Sequence, residues 1–315
     1  MIRSLRRCLA AVFIHLAGLS AVSAAELAYR LAAVELGQGC YMLAGANDYF
    51  NLENGGNIAN TGFIVTDAGA IVVDTGPSLR YGEAQRRLIE ETAAGKPVER
   101  VIITHAHPDH YLGNQAFADI PIYAGRGTID LINGSGEDFT VNMYRLVGDW
   151  MRGTESVAPG RQIEAGSFSV GDHDFRIYFY EGHTAEDLVL LDETCGVLYA
   201  GDLVFNARTL STPHADIERW IEALEGLRSI PFRLLVPGHG DVIEGDSAIS
   251  QTIDYLRWLE RRLQRAFQAG LDITEVMELP LPRRFAGFAL ARDEYRRSVH
   301  NLYPAIEASN FPLVQ

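Results

Sequence analysis

Short apolar runs separated by turn residues alternate along this chain with longer stretches of helical period. Residues 29–43 mix apolar and polar positions as strands at and near a sheet edge do, and the turn-rich loop NLENGGNIAN follows at 51–60. Two apolar runs, 62–65 and 70–74, flank Asp67, Ala68 and Gly69 and read as a hairpin. An amphipathic helix is predicted over 79–94, ended by Gly95 and Pro97. Strands follow at 101–104 and 120–124, and 127–153 reads as helical or irregular, with Met143, Tyr144 and Trp150 as pocket-lining candidates whose plainer role is core packing. Strands recur at 168–170, 175–180, 188–191 and 197–200, and a helix over 215–227 precedes a strand at 233–236. From 247 onward the pattern is mostly helical, most strongly over 253–267, where Leu256, Leu259 and Leu263 keep helical spacing. The order strand, strand, helix, strand, loop occurs twice, which two sheets sandwiched between helices satisfy.

The N-terminus changes the picture of where the chain works. Arg3, Arg6 and Arg7 precede an apolar stretch over 9–22, and Ser23, Ala24 and Ala25 resemble a signal-peptidase site. The stretch is interrupted by His15 and is shorter than the ~20 residues a spanning helix needs. Residues 1–24 are therefore expected to be a cleaved signal peptide, and the mature product a periplasmic protein without stable membrane insertion. Loss of the three arginines takes the formal charge from −14 to −17. So acidic a chain repels phosphate backbones, which argues against a nucleic-acid partner. Cys40 and Cys195 remain after cleavage; an oxidising compartment permits their pairing, but their separation in the chain favours two unlinked, partly buried thiols.

The candidate chemistry is concentrated in THAHPDHYLGN, directly after the apolar run 101–103. His105 and His107 are two apart on an extended segment and so point the same way, Pro108 keeps His107 extended, and Asp109 and His110 follow at the start of a short helix. One loop does not surround an ion without strain, so partners are expected at other strand ends. His183 follows FRIYFYEG, Asp202 follows VLYAG and His239 follows RLLVPG: in each, an apolar run ends in a glycine and a metal-capable side chain comes next. Singly each is more often a structural histidine or a turn aspartate. Jointly, seven such groups match the count and chemistry of two metal ions.

The pattern His105-x-His107-x-Asp109-His110, followed in order by His183, Asp202 and His239, resembles the metallo-β-lactamase superfamily over residues 30 to 245 or so. The resemblance implies an αββα sandwich of two mixed β-sheets flanked by helices over 25–245, with a C-terminal helical extension over 246–315. It also implies a first ion on His105, His107 and His183, a second on Asp109, His110 and His239, and Asp202 between them. Asp74, in VVDTG, matches an aspartate that supports the ligand loop by orienting an imidazole N–H, its simpler alternative being a cap for the turn before Pro77. Asp202 stands where one class of true β-lactamases has cysteine, which turns the expectation away from antibiotic hydrolysis. The signal, GNIANTGFIV and the helical tail are similar to the branch named quinoprotein relay system zinc metallohydrolase, which implies a functional link to a quinoprotein dehydrogenase.

Two zinc ions, with iron or manganese as the other metals such a donor set accepts, would supply a bridging hydroxide for attack on an ester, thioester, amide or related bond of a small-molecule substrate, with Asp109 orienting the nucleophile. Two other classes share the motif: a mononuclear non-haem iron persulfide dioxygenase, and a metal-binding accessory protein without turnover. His214, in TLSTPHAD, either meets substrate or is a surface-loop histidine, the second being the more common case.

Overall fold

The structure, a computed structural model, describes residues 27–310; the expected signal peptide at 1–24 lies outside them. Strands β1 (Ala33–Gly37), β2 (Cys40–Leu43), β3 (Thr61–Val65) and β4 (Ala70–Val73) form an antiparallel meander. Helix α1 (Leu79–Thr92) then crosses to β5 (Val98–Ile102), which pairs parallel with β4. After the short helix α2 (Pro108–Tyr111) come β6 (Ile122–Ala124), the long helix α3 (Arg126–Val147) and β7 (Arg161–Gln162), which complete a seven-stranded sheet in sequence order. The second sheet has six strands in the order β13-β12-β11-β10-β9-β8, from β8 (Gly166–Val170), β9 (His173–Tyr180), β10 (Asp187–Asp192), β11 (Val197–Tyr199), β12 (Leu234–Val236) and β13 (Ile243–Glu244). Helix α4 (Ile217–Leu227) joins β11 to its parallel neighbour β12. Helices α5 (Ser247–Gln268), α6 (Ile273–Glu278), α7 (Arg283–Ala286) and α8 (Ala291–Asn310) follow.

The uninterrupted apolar runs of the central strands are explained by two-sided burial. In β4, Ile71 and Val73 face the second sheet while Ala70 and Val72 face α1 and α3. In β10, Leu188 and Leu190 point to the inter-sheet core while Val189 and Leu191 pack under α4 and α5. Period-two alternation thus fills three apolar layers, and the αββα sandwich of two mixed sheets is the fold, with α5 to α8 packed beyond the second sheet. Among the described residues no helix is long and apolar enough to cross a membrane.

Local chemistry moves several element ends. The helix expected from 215 starts at Ile217, because the Asp216 side chain accepts from Arg219 N and caps it there. The strand expected from 120 starts at Ile122, since Ile120 N closes the preceding turn on Phe117 O. Residues 127–153 are mostly one helix, α3; Met143 and Trp150 are buried in the core while Tyr144 is exposed. The cysteines correct the sequence expectation outright. Cys40 and Cys195 form a disulfide across 155 positions, because stacking the sheets brings β2 over the β10–β11 turn with the two Cα atoms 6.8 Å apart.

Candidate metal centre

Each candidate ligand sits where an apolar strand ends. His105 and His107 follow β5, Asp109 and His110 open α2, His183 lies between β9 and β10, Asp202 follows β11 and His239 follows β12. All seven side chains are buried. Backbone geometry makes the convergence possible at two glycines. Gly201 has φ +52°, and a Cβ on Gly238 would lie 1.9 Å from Asp202 Oδ1, so only glycine there lets His239 approach that carboxylate.

Two groups result. His105 Nε2 is 3.1 Å and His183 Nε2 2.8 Å from His107 Nδ1, and Asp202 Oδ2 lies 3.3 Å from His183 Nε2. Ligand atoms around one tetrahedral ion are about 3.3 Å apart, so this first set has the size of a single coordination shell. In the second set His239 Nε2 is 3.5 Å and His110 Nε2 3.8 Å from Asp109 Oδ2. Asp202 stands between the sets, its Oδ1 3.1 Å from His110 Nε2 and its Oδ2 3.2 Å from His239 Nε2. His110 Nε2 and Asp202 Oδ1 are buried, and among the described residues neither makes a hydrogen bond of acceptable geometry, even with the other. Native interiors rarely tolerate such atoms unless something else binds them, and with the imidazole and carboxylate donors they fit a pair of cations.

The far side of most rings is anchored. Asp74 leaves β4 with φ 60°, an uncommon conformation for a residue other than glycine, and its carboxylate accepts from Thr104 N, Thr104 Oγ1 and His110 Nδ1, each at 2.8 Å. Thr104 Oγ1 in turn accepts from His105 Nδ1 at 3.0 Å. His239 Nδ1 donates to Ile58 O at 2.8 Å. These bonds select the tautomers that turn Nε2 of His105, His110 and His239 toward the centre. His107 presents Nδ1 instead and has its Nε2 2.9 Å from His214 Nδ1. His183 Nδ1 has no hydrogen-bond partner among the described residues; its ring packs against Trp220, centroid 5.1 Å away.

Burial, then the neighbouring imidazoles, hold His105 and His107 well below the ordinary histidine range, and burial brings His183 down to about 4. Neutral rings keep a lone pair for a cation. Burial also pushes His110 down, but Asp202, Asp109 and Asp74 outweigh it and raise it. Asp202 is held well below the carboxylate range, because His239, His110 and His183 outweigh its burial.

A cavity of about 210 Å³ opens onto the centre. Tyr49, Phe50 and Ile58 line one side, Phe139 and Asn142 of α3 another, and the exposed rim residue His214 a third. Three contributors carried no recognisable sequence signal: Arg208, six residues after Asp202, and Glu294 and Arg297 from α8. Asn60 is a fourth such residue, its Nδ2 bonding Pro237 O at 2.9 Å and Gly240 O at 2.7 Å and so pinning the His239 loop. Its one sequence sign is its place in the turn-rich loop ending at 60.

The chain is similar to a linear primary-alkylsulfatase of Pseudomonas sp. (strain ATCC 19151), 25% identical over 285 residues that cover 75% of this chain and 53% of that protein. It is also similar to the acyl-coenzyme A thioesterase MBLAC2 of Gallus gallus, 24% identical, covering 64% of this chain and 79% of the relative. The chain thus spans about half the length of the alkylsulfatase it matches. Among solved structures, a metallo-β-lactamase from Pontibacter korlensis superposes with a TM-score of 0.59 at 21% identity, over 72% of this chain and 99% of that one, which speaks for the fold alone. The family model described as the metallo-β-lactamase superfamily matches residues 54–239, a span that contains all seven candidate ligands, and the chain belongs to that superfamily.

Proposed function

We propose that this protein is a dinuclear metal-dependent hydrolase of ester, thioester or related bonds in a small-molecule substrate. The observation that carries this is Asp202, one carboxylate with Oδ2 3.3 Å from His183 Nε2 and Oδ1 3.1 Å from His110 Nε2, standing between two sets of donors. His105, His107 and His183 would hold one ion, Asp109, His110 and His239 the other, and Asp202 both. Two bound ions would supply a Lewis acid and a water acidified toward neutrality. The donor set, without thiolate, suits zinc and is compatible with iron or manganese.

The chain's own residues do the rest. Asp109, at the floor of the cavity, orients the nucleophile by accepting a hydrogen bond from it. Asp74 and the Ile58 carbonyl keep His110 and His239 in register, and the walls at Tyr49, Phe50 and Phe139 exclude water from the reacting bond. Relatives named as an alkylsulfatase and a thioesterase support hydrolysis at a sulfate or acyl centre. Export to the periplasm rests on the sequence over 1–24 and draws support from the Cys40–Cys195 disulfide, a bond of oxidising compartments. Service to a quinoprotein dehydrogenase rests on sequence resemblance alone.

A mononuclear iron persulfide dioxygenase would use only the first set, and the convergence of buried Asp109, His110 and His239 in a second set favours two ions. The test is elemental analysis together with a screen of thioesters, lactones, lactams, sulfate esters and phosphodiesters on the metal-loaded protein. Close to two ions per chain and turnover of at least one class are expected. One iron per chain, oxygen uptake with a persulfide, and no effect of His239→Ala on either would overturn the hydrolase; two ions with no turnover in any class would leave an accessory metal protein.

A further inference from the structure

The loop after Asp202 is joined to the C-terminal helix α8 and to the segment that leads into it. Arg208 forms a backbone bridge with Ala289, Thr209 N bonds Ala289 O at 3.1 Å, and Thr212 Oγ1 donates to Ser298 Oγ at 3.0 Å. Through this seam α8 presents Glu294 and Arg297 to the same cavity that holds Asp109, His239 and Arg208. The residues of α8 lie beyond the 54–239 span that defines the family, so this wall belongs to the present chain's extension.

The two arginines on that wall are incompletely paired. Arg208 is 2% exposed, and its one hydrogen bond among the described residues runs from Nη2 to Asp48 O at 3.1 Å. Its Nε and Nη1 are buried without a partner, and it forms no ion pair with a carboxylate among the described residues. Arg297 lies over the Tyr49 ring, 4.7 Å from its centroid, with Nη1 3.5 Å from Glu294 Oε1 and no hydrogen bond from that nitrogen. Glu294, Asp202 and Asp109 line the same cavity and act on Arg208 through space, yet among the described residues none forms an ion pair or hydrogen bond with its guanidinium. A buried guanidinium with no carboxylate in contact is costly to keep, and the residue type is the one suited to planar oxyanions. Aromatic side chains at Tyr49, Phe50 and Phe139 line the same cavity.

We propose that Arg208 and Arg297 form an anion subsite beside the metal centre, built jointly by the post-Asp202 loop and the C-terminal extension, that selects substrates carrying a carboxylate on a small apolar or aromatic body. Arg208 takes the carboxylate from the floor of the cavity, Arg297 closes over it from Tyr49, and Glu294 keeps Arg297 in place. This inference rests on the hydrolase reading for its kinetic test, though not for its binding test.

The kinetic test compares 4-acetoxybenzoate with phenyl acetate on the metal-loaded full chain. Wild type should prefer the carboxylate ester in kcat/KM, and Arg208→Met and, separately, the more exposed Arg297→Gln should each reduce that preference about tenfold or more. The binding test titrates benzoate, with benzamide as the uncharged control, by calorimetry. Benzoate should bind wild type and lose at least tenfold in affinity in either variant, whereas Arg297→Lys should recover part of it. If neither ester is hydrolysed, and no class in the wider screen is turned over, yet benzoate binding depends on both arginines, the hydrolase reading fails and the subsite stands. Equal turnover of the two esters, or benzoate affinity equal to benzamide and unmoved in Arg297→Gln, would overturn the subsite whatever the protein hydrolyses.

Discussion

Two buried clusters of histidine and aspartate lie at opposite ends of β10, and they are chemically alike but differently finished. At one end Asp192 accepts from His173 Nδ1 at 2.6 Å on one oxygen, and from Thr194 N at 2.9 Å and Cys195 N at 3.0 Å on the other. The adjacent thiols are joined to each other. That cluster contains the residue types a metal would take, Cys40, Asp192 and Cys195, yet its donors and acceptors are already matched within the protein. At the other end, Asp202 Oδ1 and His110 Nε2 are equally buried and face each other at 3.1 Å without a hydrogen bond of acceptable geometry among the described residues. Composition and burial therefore do not separate a structural polar cluster from a functional one. Between these two clusters the geometry of the donors does, because convergent imidazole and carboxylate atoms left without well-formed hydrogen bonds favour a group from outside the chain.

The sharpest way to break this contrast is to remove the ions. Chelation should abolish turnover and leave the Asp192 cluster untouched, so far-ultraviolet circular dichroism should keep its folded shape; residual full activity in excess chelator would place the chemistry elsewhere. Next in size is Asp202→Ala, expected to lose the second ion preferentially and to reduce turnover on the order of a hundredfold or more, as elemental analysis and steady-state kinetics would report. The matching change at the other end, Cys40→Ser with Cys195→Ser, should act on stability instead. Opening a loop closed across 155 positions removes up to about 5 kcal/mol in the chain-entropy account, seen as a lower melting temperature with two ions per chain retained. Smallest is Asp192→Asn, which weakens the bonds from His173, Thr194 and Cys195 and should cost about 1–3 kcal/mol in denaturant titration with metal content unchanged. Loss of metal in Asp192→Asn would show that the two ends are coupled and the contrast misdrawn.

Much of the framework was written locally. The runs around Val72 and Val189 are apolar at every position, which signals strands covered on both sides, and both are sandwiched between two apolar layers. The histidine cluster was legible because His105, His107, Asp109 and His110 are neighbours in the chain, on the loop after β5 and the first turn of α2. His183, Asp202 and His239 could be proposed as partners because each stands where a glycine ends an apolar run, so strand register alone sets them on one rim.

What the chain order could not display are contacts made only when layers stack. Cys40 and Cys195 read as separate thiols because nothing local records that the β10–β11 turn lies against β2; the sheet packing decides it. The hydrogen bond of Asn60 to the His239 loop, and the meeting of Arg208 with Glu294 and Arg297 at one cavity, are likewise invisible to periodicity, since each joins segments with no shared repeat or spacing. Sequence determined which elements form and which side chains can bind a metal, because backbone propensity and side-chain alternation act over a few residues. Tertiary structure decided which charges are left unpaired beside that metal, because pairing depends on distances that only the packed layers set.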